Sequence, residues 1–151
     1  MKTDTYFIQE LSGNNSLVER IEALITEARK RVVSAVNTTM VYTYFEIGRV
    51  IVEEEQNGEE RAEYGKKLLE NLSIHLTARF GKGFSPQNLA NMRQLYKMYS
   101  SRIFQTLSRK SENNQIVTHE FNFSLSWSHY LKLMRIINPE ERNFYEIEAI
   151  N

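Results

Sequence analysis

Residues 80–89 read Phe80-Gly81-Lys82-Gly83-Phe84-Ser85-Pro86-Gln87-Asn88-Leu89. Two glycines flanking one lysine stop the helix before them, because glycine enters the left-handed backbone that ends helices without a steric cost. Ser85 is an N-cap by residue type, and Pro86 suits the first helical position, where its missing N–H is not needed. Phe84 and Leu89 then bracket the cap as a hydrophobic staple. The stretch therefore specifies a helix end, a tight turn and a new helix.

Outward from that turn the spacing stays helical. Upstream, Leu68, Leu69, Leu72, Leu76 and Phe80 mark one helix; downstream, Leu89, Met92, Leu95, Tyr96 and Tyr99 share one side of a helix expected to run from Pro86 to about Tyr99. Nearer the N-terminus, Asn15 or Ser16 is expected to cap a helix carrying Leu17, Ile21, Leu24, Ile25, Ala28, Val32, Ala35 and Val36. The pattern resumes at Val41, Tyr44, Phe45, Gly48, Ile51 and Val52, so either one long helix bends near residues 37–39 or two helices abut there. Beyond the polar residues 108–115, Val117, His119, Phe121 and Phe123 alternate weakly, as one short strand would. Ser124 or Ser126 starts a helix with Trp127, Tyr130, Leu131, Met134 and Ile137 inward, and Asn138-Pro139-Glu140-Glu141 opens a last one holding Phe144, Tyr145 and Ile147.

The composition agrees. The chain has 151 residues, 41% hydrophobic, with 6 Gly and 2 Pro, too few turn formers for a many-stranded barrel or sandwich. The expected fold is all-α: one multi-helix domain over residues 1–151 containing a helix-turn-helix at about 66–99, with at most a winged-helix-like strand pair. With 0 Cys, zinc ribbons, iron–sulfur sites, thiol nucleophiles and disulfides are excluded. No apolar run approaches the roughly 18 residues of a membrane span, and no apolar signal segment follows Met1-Lys2-Thr3-Asp4. A soluble cytoplasmic protein without membrane contact is expected.

Formal net charge is zero, 19 basic against 19 acidic side chains, but the distribution is uneven. Residues 1–63 hold 7 basic and 12 acidic groups, residues 64–110 hold 9 and 1, and residues 111–151 hold 3 and 6. The positive block, Lys66, Lys67, Arg79, Lys82, Arg93, Lys97, Arg102, Arg109 and Lys110 against Glu70, is the helix pair joined by the glycine turn. Such a block fits a polyanion. At 100° per residue, Gln87, Ala90, Asn91, Gln94 and Lys97 lie opposite the apolar arc, with Arg93 at the edge. Asn and Gln can pair with adenine edges and Arg with guanine in a major groove. The expected DNA-binding residues are Lys82, Ser85, Gln87, Asn88, Asn91, Arg93, Gln94 and Lys97, with the backbone N–H groups of residues 85–88 holding a phosphate. Equally, amides on a solvated helix face and basic groups that keep a surface soluble need no ligand.

Catalytic patterns are missing from the sequence. Asp4 is the only aspartate, and no Asp or Glu precedes a Lys by two residues, so a PD-(D/E)xK centre is absent. Gly81-Lys82-Gly83 is too short for a phosphate-cradling loop, and His75, His119 and His129 fall in three separate segments without ligand spacing. Ser126, Ser128 and His129 read as a helix start with a structural hydrogen bond, since no acidic orienter accompanies them. The aromatic positions Tyr42, Tyr44, Phe45, Tyr96, Tyr99, Tyr130, Phe144 and Tyr145 mostly have core spacing. No catalytic residue, metal or cofactor is expected.

The series Tyr44-Phe45-Glu46-Ile47-Gly48, Tyr64-Gly65, Leu68-Leu69, Leu72-Ser73, Leu76, Phe80 to Ser85 as quoted, Asn88-Leu89, Met92-Arg93 and Tyr96, followed by Leu125-Ser126-Trp127-Ser128-His129-Tyr130, Arg142, Phe144-Tyr145 and Glu148-Ala149, resembles the N-terminal domain of the bacterial YhcG family. That domain is catalogued as one of unknown function, and the likeness covers about residues 15–149. It implies a helical fold similar to helix-turn-helix or winged-helix DNA binders, usually followed by a PD-(D/E)xK nuclease domain. Here the nuclease half is not present, so cleavage is not carried over, and the chain is either a fragment of such a nuclease or a short member. The leading expectation is a module for double-stranded DNA. The alternative is a helical interaction domain whose long N-terminal stripe pairs with another copy or with a nuclease domain.

Overall fold

The computed structural model describes the backbone of residues 3–58, 62–112 and 122–151 and the side chains of 16–58, 63–103 and 122–151. Among the described residues the fold is all-α: α1 (Thr3–Asn57), α2 (Ala62–Phe80), α3 (Pro86–Glu112), α4 (Trp127–Leu133) and α5 (Pro139–Ile150). No strand occurs among them. The strand expected at residues 117–123 lies outside the described residues except for its end, where Phe123 is fully buried without being in a strand. The chain divides into two units, residues 1–36 and 37–151.

In the first unit every described side chain, from Ser16 to Val36, is exposed. The expected cap at Asn15 or Ser16 is overturned, because helical backbone already runs from Thr3 through both residues. Their following amides therefore bond within the helix and need no side-chain acceptor. Of the two expectations for residues 37–39, the single helix holds.

The second unit contains the core. One cluster joins Val41 and Phe45 of α1, Leu95 and Tyr99 of α3, Phe123, Leu125, and Tyr130 and Leu133. A second joins Ile51, Leu69, Leu89 and Met92, with Phe84 packed against it as the staple requires. Leu89, Met92, Leu95 and Tyr99 are at most 1% exposed, so α3 buries one complete face. Between the clusters α1 and α3 touch backbone to backbone at Gly48: an added Cβ there would lie 2.1 Å from the Met92 carbonyl oxygen. Only glycine permits that approach. Around Tyr99 the rings meet edge to face, Tyr99 with Tyr130 at 5.6 Å and Phe123 with Tyr130 at 5.3 Å between centroids.

Two helix ends and one buried face differ from the sequence reading. Helix α3 continues past Tyr99 to Glu112, since no Gly or Pro interrupts residues 87–112. Helix α4 is a short element ending at Leu133, which leaves Ile137 90% exposed rather than inward. On α5 the buried residue is Glu146, 2% exposed, while Phe144, Tyr145 and Ile147 stay exposed. Glu146 accepts from the Arg102 guanidinium at 2.7 Å, which compensates the buried carboxylate. The Asn138 cap stands as expected, its side chain accepting from the Glu140 and Glu141 amides ahead of Pro139.

Two measurements test this core. Gly48→Ala, which on an open helix would stabilise by roughly 0.5–1 kcal/mol, should here cost about 1–3 kcal/mol in urea unfolding, because two backbones must separate. A stabilising result would contradict the crossing. Burial pushes the Tyr99 hydroxyl up to about 12, with the Glu146 carboxylate adding to the effect. The unfolded tyrosine ionises near its ordinary value of about 10, so the native state binds more protons above that pH. Stability from Tyr99 is then complete below pH 10 and lost as pH rises through about 12. Denaturant midpoints measured across that window should fall, less steeply in Tyr99→Phe.

Candidate nucleic-acid interface

The connection between α2 and α3 is set by its two glycines. Gly81 and Gly83 have φ of +84° and +109°, with open space where a Cβ would stand, so backbone conformation alone demands glycine at both. The chain then enters α3 at Ser85, whose Oγ accepts the Asn88 N–H at 3.1 Å. Helices α2 and α3 pack against each other through Leu69, Leu72, Leu76, Leu89 and Met92.

The eight expected residues separate into two groups. Lys82, Gln87, Gln94 and Lys97 are exposed and Asn91 is half-buried, with Gln87 Nε2 donating to Asn91 Oδ1 at 3.3 Å. Gln87, Asn91, Gln94 and Lys97 form a polar strip on α3 opposite its buried face, with Lys82 in the turn before the helix. Ser85, Asn88 and Arg93 instead hold the structure together. The Asn88 side-chain amide donates to the Gly83 carbonyl, and its Oδ1 accepts the Trp127 indole N–H at 3.1 Å. Arg93 pairs with Glu55 at the end of α1, the two side chains being 27% and 19% exposed. Gly65 of α2 leaves room for that pair, since a Cβ there would come 3.2 Å from Glu55 Oε1. Arg93 thus ties α3 to α1, with Gly65 of α2 passing close beside the pair. Of the amides expected to hold a phosphate, Pro86 has no N–H and that of Asn88 is capped by Ser85 Oγ, which leaves Ser85 and Gln87.

Sequence reasoning missed the second wall of this strip. Gln87, Asn91 and Gln94 line a shallow groove whose other side is Leu131, Met134 and Arg135 at the end of α4. Arg135 is exposed, and nothing in its local spacing connects it with α3, some 40 residues earlier in the chain.

The charge also reads differently once partners are known. Lys67 pairs with Glu63 at 3.3 Å, Arg93 with Glu55, and Arg102 with Glu146, so three of the seven described basic side chains of the block have carboxylate partners. Lys66, Arg79, Lys82 and Lys97 remain exposed around the helix pair, with Arg79 also lying over the Phe80 ring. Ser126 Oγ and His129 Nδ1 lie 2.6 Å apart on one exposed turn, so the Ser126 hydroxyl goes to the imidazole and not to a cap amide. Among the described residues, no group of three acidic or histidine side chains could hold a metal, and no helix is long and apolar enough to cross a membrane.

Residues 20–151 match the model of the DUF1016 N-terminal domain. The chain is 35% identical over 166 aligned positions to a protein of Escherichia coli (strain K12) described as "Putative nuclease YhcG". That alignment covers 92% of this chain and 41% of the relative, so the chain spans about two-fifths of its length. No solved structure matches the chain.

A double-mutant cycle tests the assignment of Arg93. Glu55→Ala and Arg93→Ala should each destabilise, and their coupling should be about 1 kcal/mol, the upper end for exposed pairs because both are half-buried. Additive effects would return Arg93 to the solvent-facing strip.

Proposed function

Because the chain belongs to the DUF1016 N-terminal domain family, we propose that its helix pair is a binding module for double-stranded DNA. The observation that carries this reading is the segregation of charge, 9 basic against 1 acidic side chain over residues 64–110 of a chain with zero net charge. Lys66, Arg79, Lys82 and Lys97, which keep their charge in solvent, contact phosphates and supply most of the affinity. Gln87, Asn91 and Gln94 face base edges, and Arg135 approaches the backbone from the far wall of the groove. Ser85, Asn88 and Arg93 hold α3 in place and read nothing directly. The name of the E. coli relative supports a role beside a nuclease, with this module bringing DNA to a catalytic centre elsewhere and breaking no bond itself.

Fluorescence anisotropy of a labelled mixed-sequence duplex, titrated at several salt concentrations, tests the reading. Binding should weaken steeply with salt, and Lys82→Ala and Lys97→Ala should each lower the log–log slope by roughly 0.9. Gln94→Ala should leave the slope alone and change preference among duplexes. Absence of binding at low salt, or slopes untouched by either lysine change, would remove the helix pair as a DNA surface.

A further inference from the structure

The stripe on residues 17–36 has no cover, and its chemistry identifies one. Leu17, Ile21, Leu24, Ile25, Val32 and Val36 are between 46% and 71% exposed. Together with Val18, Ala28 and Ala35 they fall within an arc of about 120°, the width of a helix face that packs against another helix. Read as heptads, Val18, Ile25 and Val32 take the a positions and Ile21, Ala28 and Ala35 the d positions.

We propose that this stripe pairs with the same stripe of a second copy of the chain, antiparallel, as a short coiled coil. Parallel pairing would set Ala28 on the partner's Ala28 and Ala35 on the partner's Ala35, leaving voids at both layers. It would also put Glu22 beside the partner's Leu17 and Arg29 beside the partner's Leu24. Antiparallel pairing sets Val18 on the partner's Ala35, Ile25 on the partner's Ala28 and Ile21 on the partner's Val32, so each alanine meets a larger side chain. The same register places Glu22 opposite the partner's Arg29 and, by the two-fold axis, Arg29 opposite the partner's Glu22. On the opposite edge of the stripe, Arg31 is paired with Glu27 of its own helix at 3.1 Å. Charge and volume complementarity thus select the same partner and the same direction.

Sedimentation equilibrium of the full chain across micromolar concentrations tests this, independently of any DNA measurement. The wild type should show a monomer–dimer equilibrium. Glu22→Arg and Arg29→Glu, each creating two like-charge contacts, should weaken the dimer by about tenfold. The double variant E22R/R29E, and an equimolar mixture of the two single variants, should both associate like the wild type. Circular dichroism of each variant controls for loss of helix. A monomer throughout, single variants that dimerise normally, or a double variant that stays weak would each overturn the antiparallel pair.

Discussion

At Gly48 the backbone of α1 rests on the backbone of α3, and the second unit is built around that contact. With no side chain between them, the two helices bring Val41, Phe45 and Ile51 directly against Leu89, Met92, Leu95 and Tyr99. The crossing fixes which side of α3 turns inward and therefore which side is left for a ligand. Arg93 at one edge of that face and Asn88 in line with Met92, Leu95 and Tyr99 then fasten the helix to α1 and to the start of α4. The polar strip is positioned by neighbours that are committed to structure.

What was legible in the sequence was local. Ser85-Pro86 and Asn138-Pro139 specify helix starts within four residues, and both caps form as the residue types require. The glycine turn was legible for the same reason, since positive φ is a property of one residue at a time. Pairings between distant segments were not. Asn88 meets Trp127 across 39 positions and Arg93 meets Glu55 across 38, and no periodicity announces either. An asparagine or arginine on a polar arc looks the same from sequence whether it faces a ligand or a buried partner. Glu146 was invisible for a related reason: a carboxylate is buried only when a cation such as Arg102 arrives from elsewhere.

The stripe on residues 17–36 shows a different limit. Its spacing marks an apolar face on a helix, and the helix is there, with its described side chains exposed. Periodicity establishes that a face needs cover and is silent about what provides it. The charge count has the same character. Nine basic side chains in one block overstate the available field, because among the described residues three of them have carboxylate partners within the chain. What a partner molecule meets is the remainder, and its position depends on the fold.

The chain contains one tryptophan, and its indole N–H is spent on Asn88, whose side-chain amide in turn holds the Gly83 carbonyl. The molecule therefore carries a single indole proton resonance, sitting one residue away from the turn between α2 and α3. A change in that turn reaches this nucleus through two hydrogen bonds, without any label being attached. The same wiring makes Trp127, tilted against Tyr44 with 4.9 Å between ring centroids, an optical reporter for how closely α4 stays docked on α1.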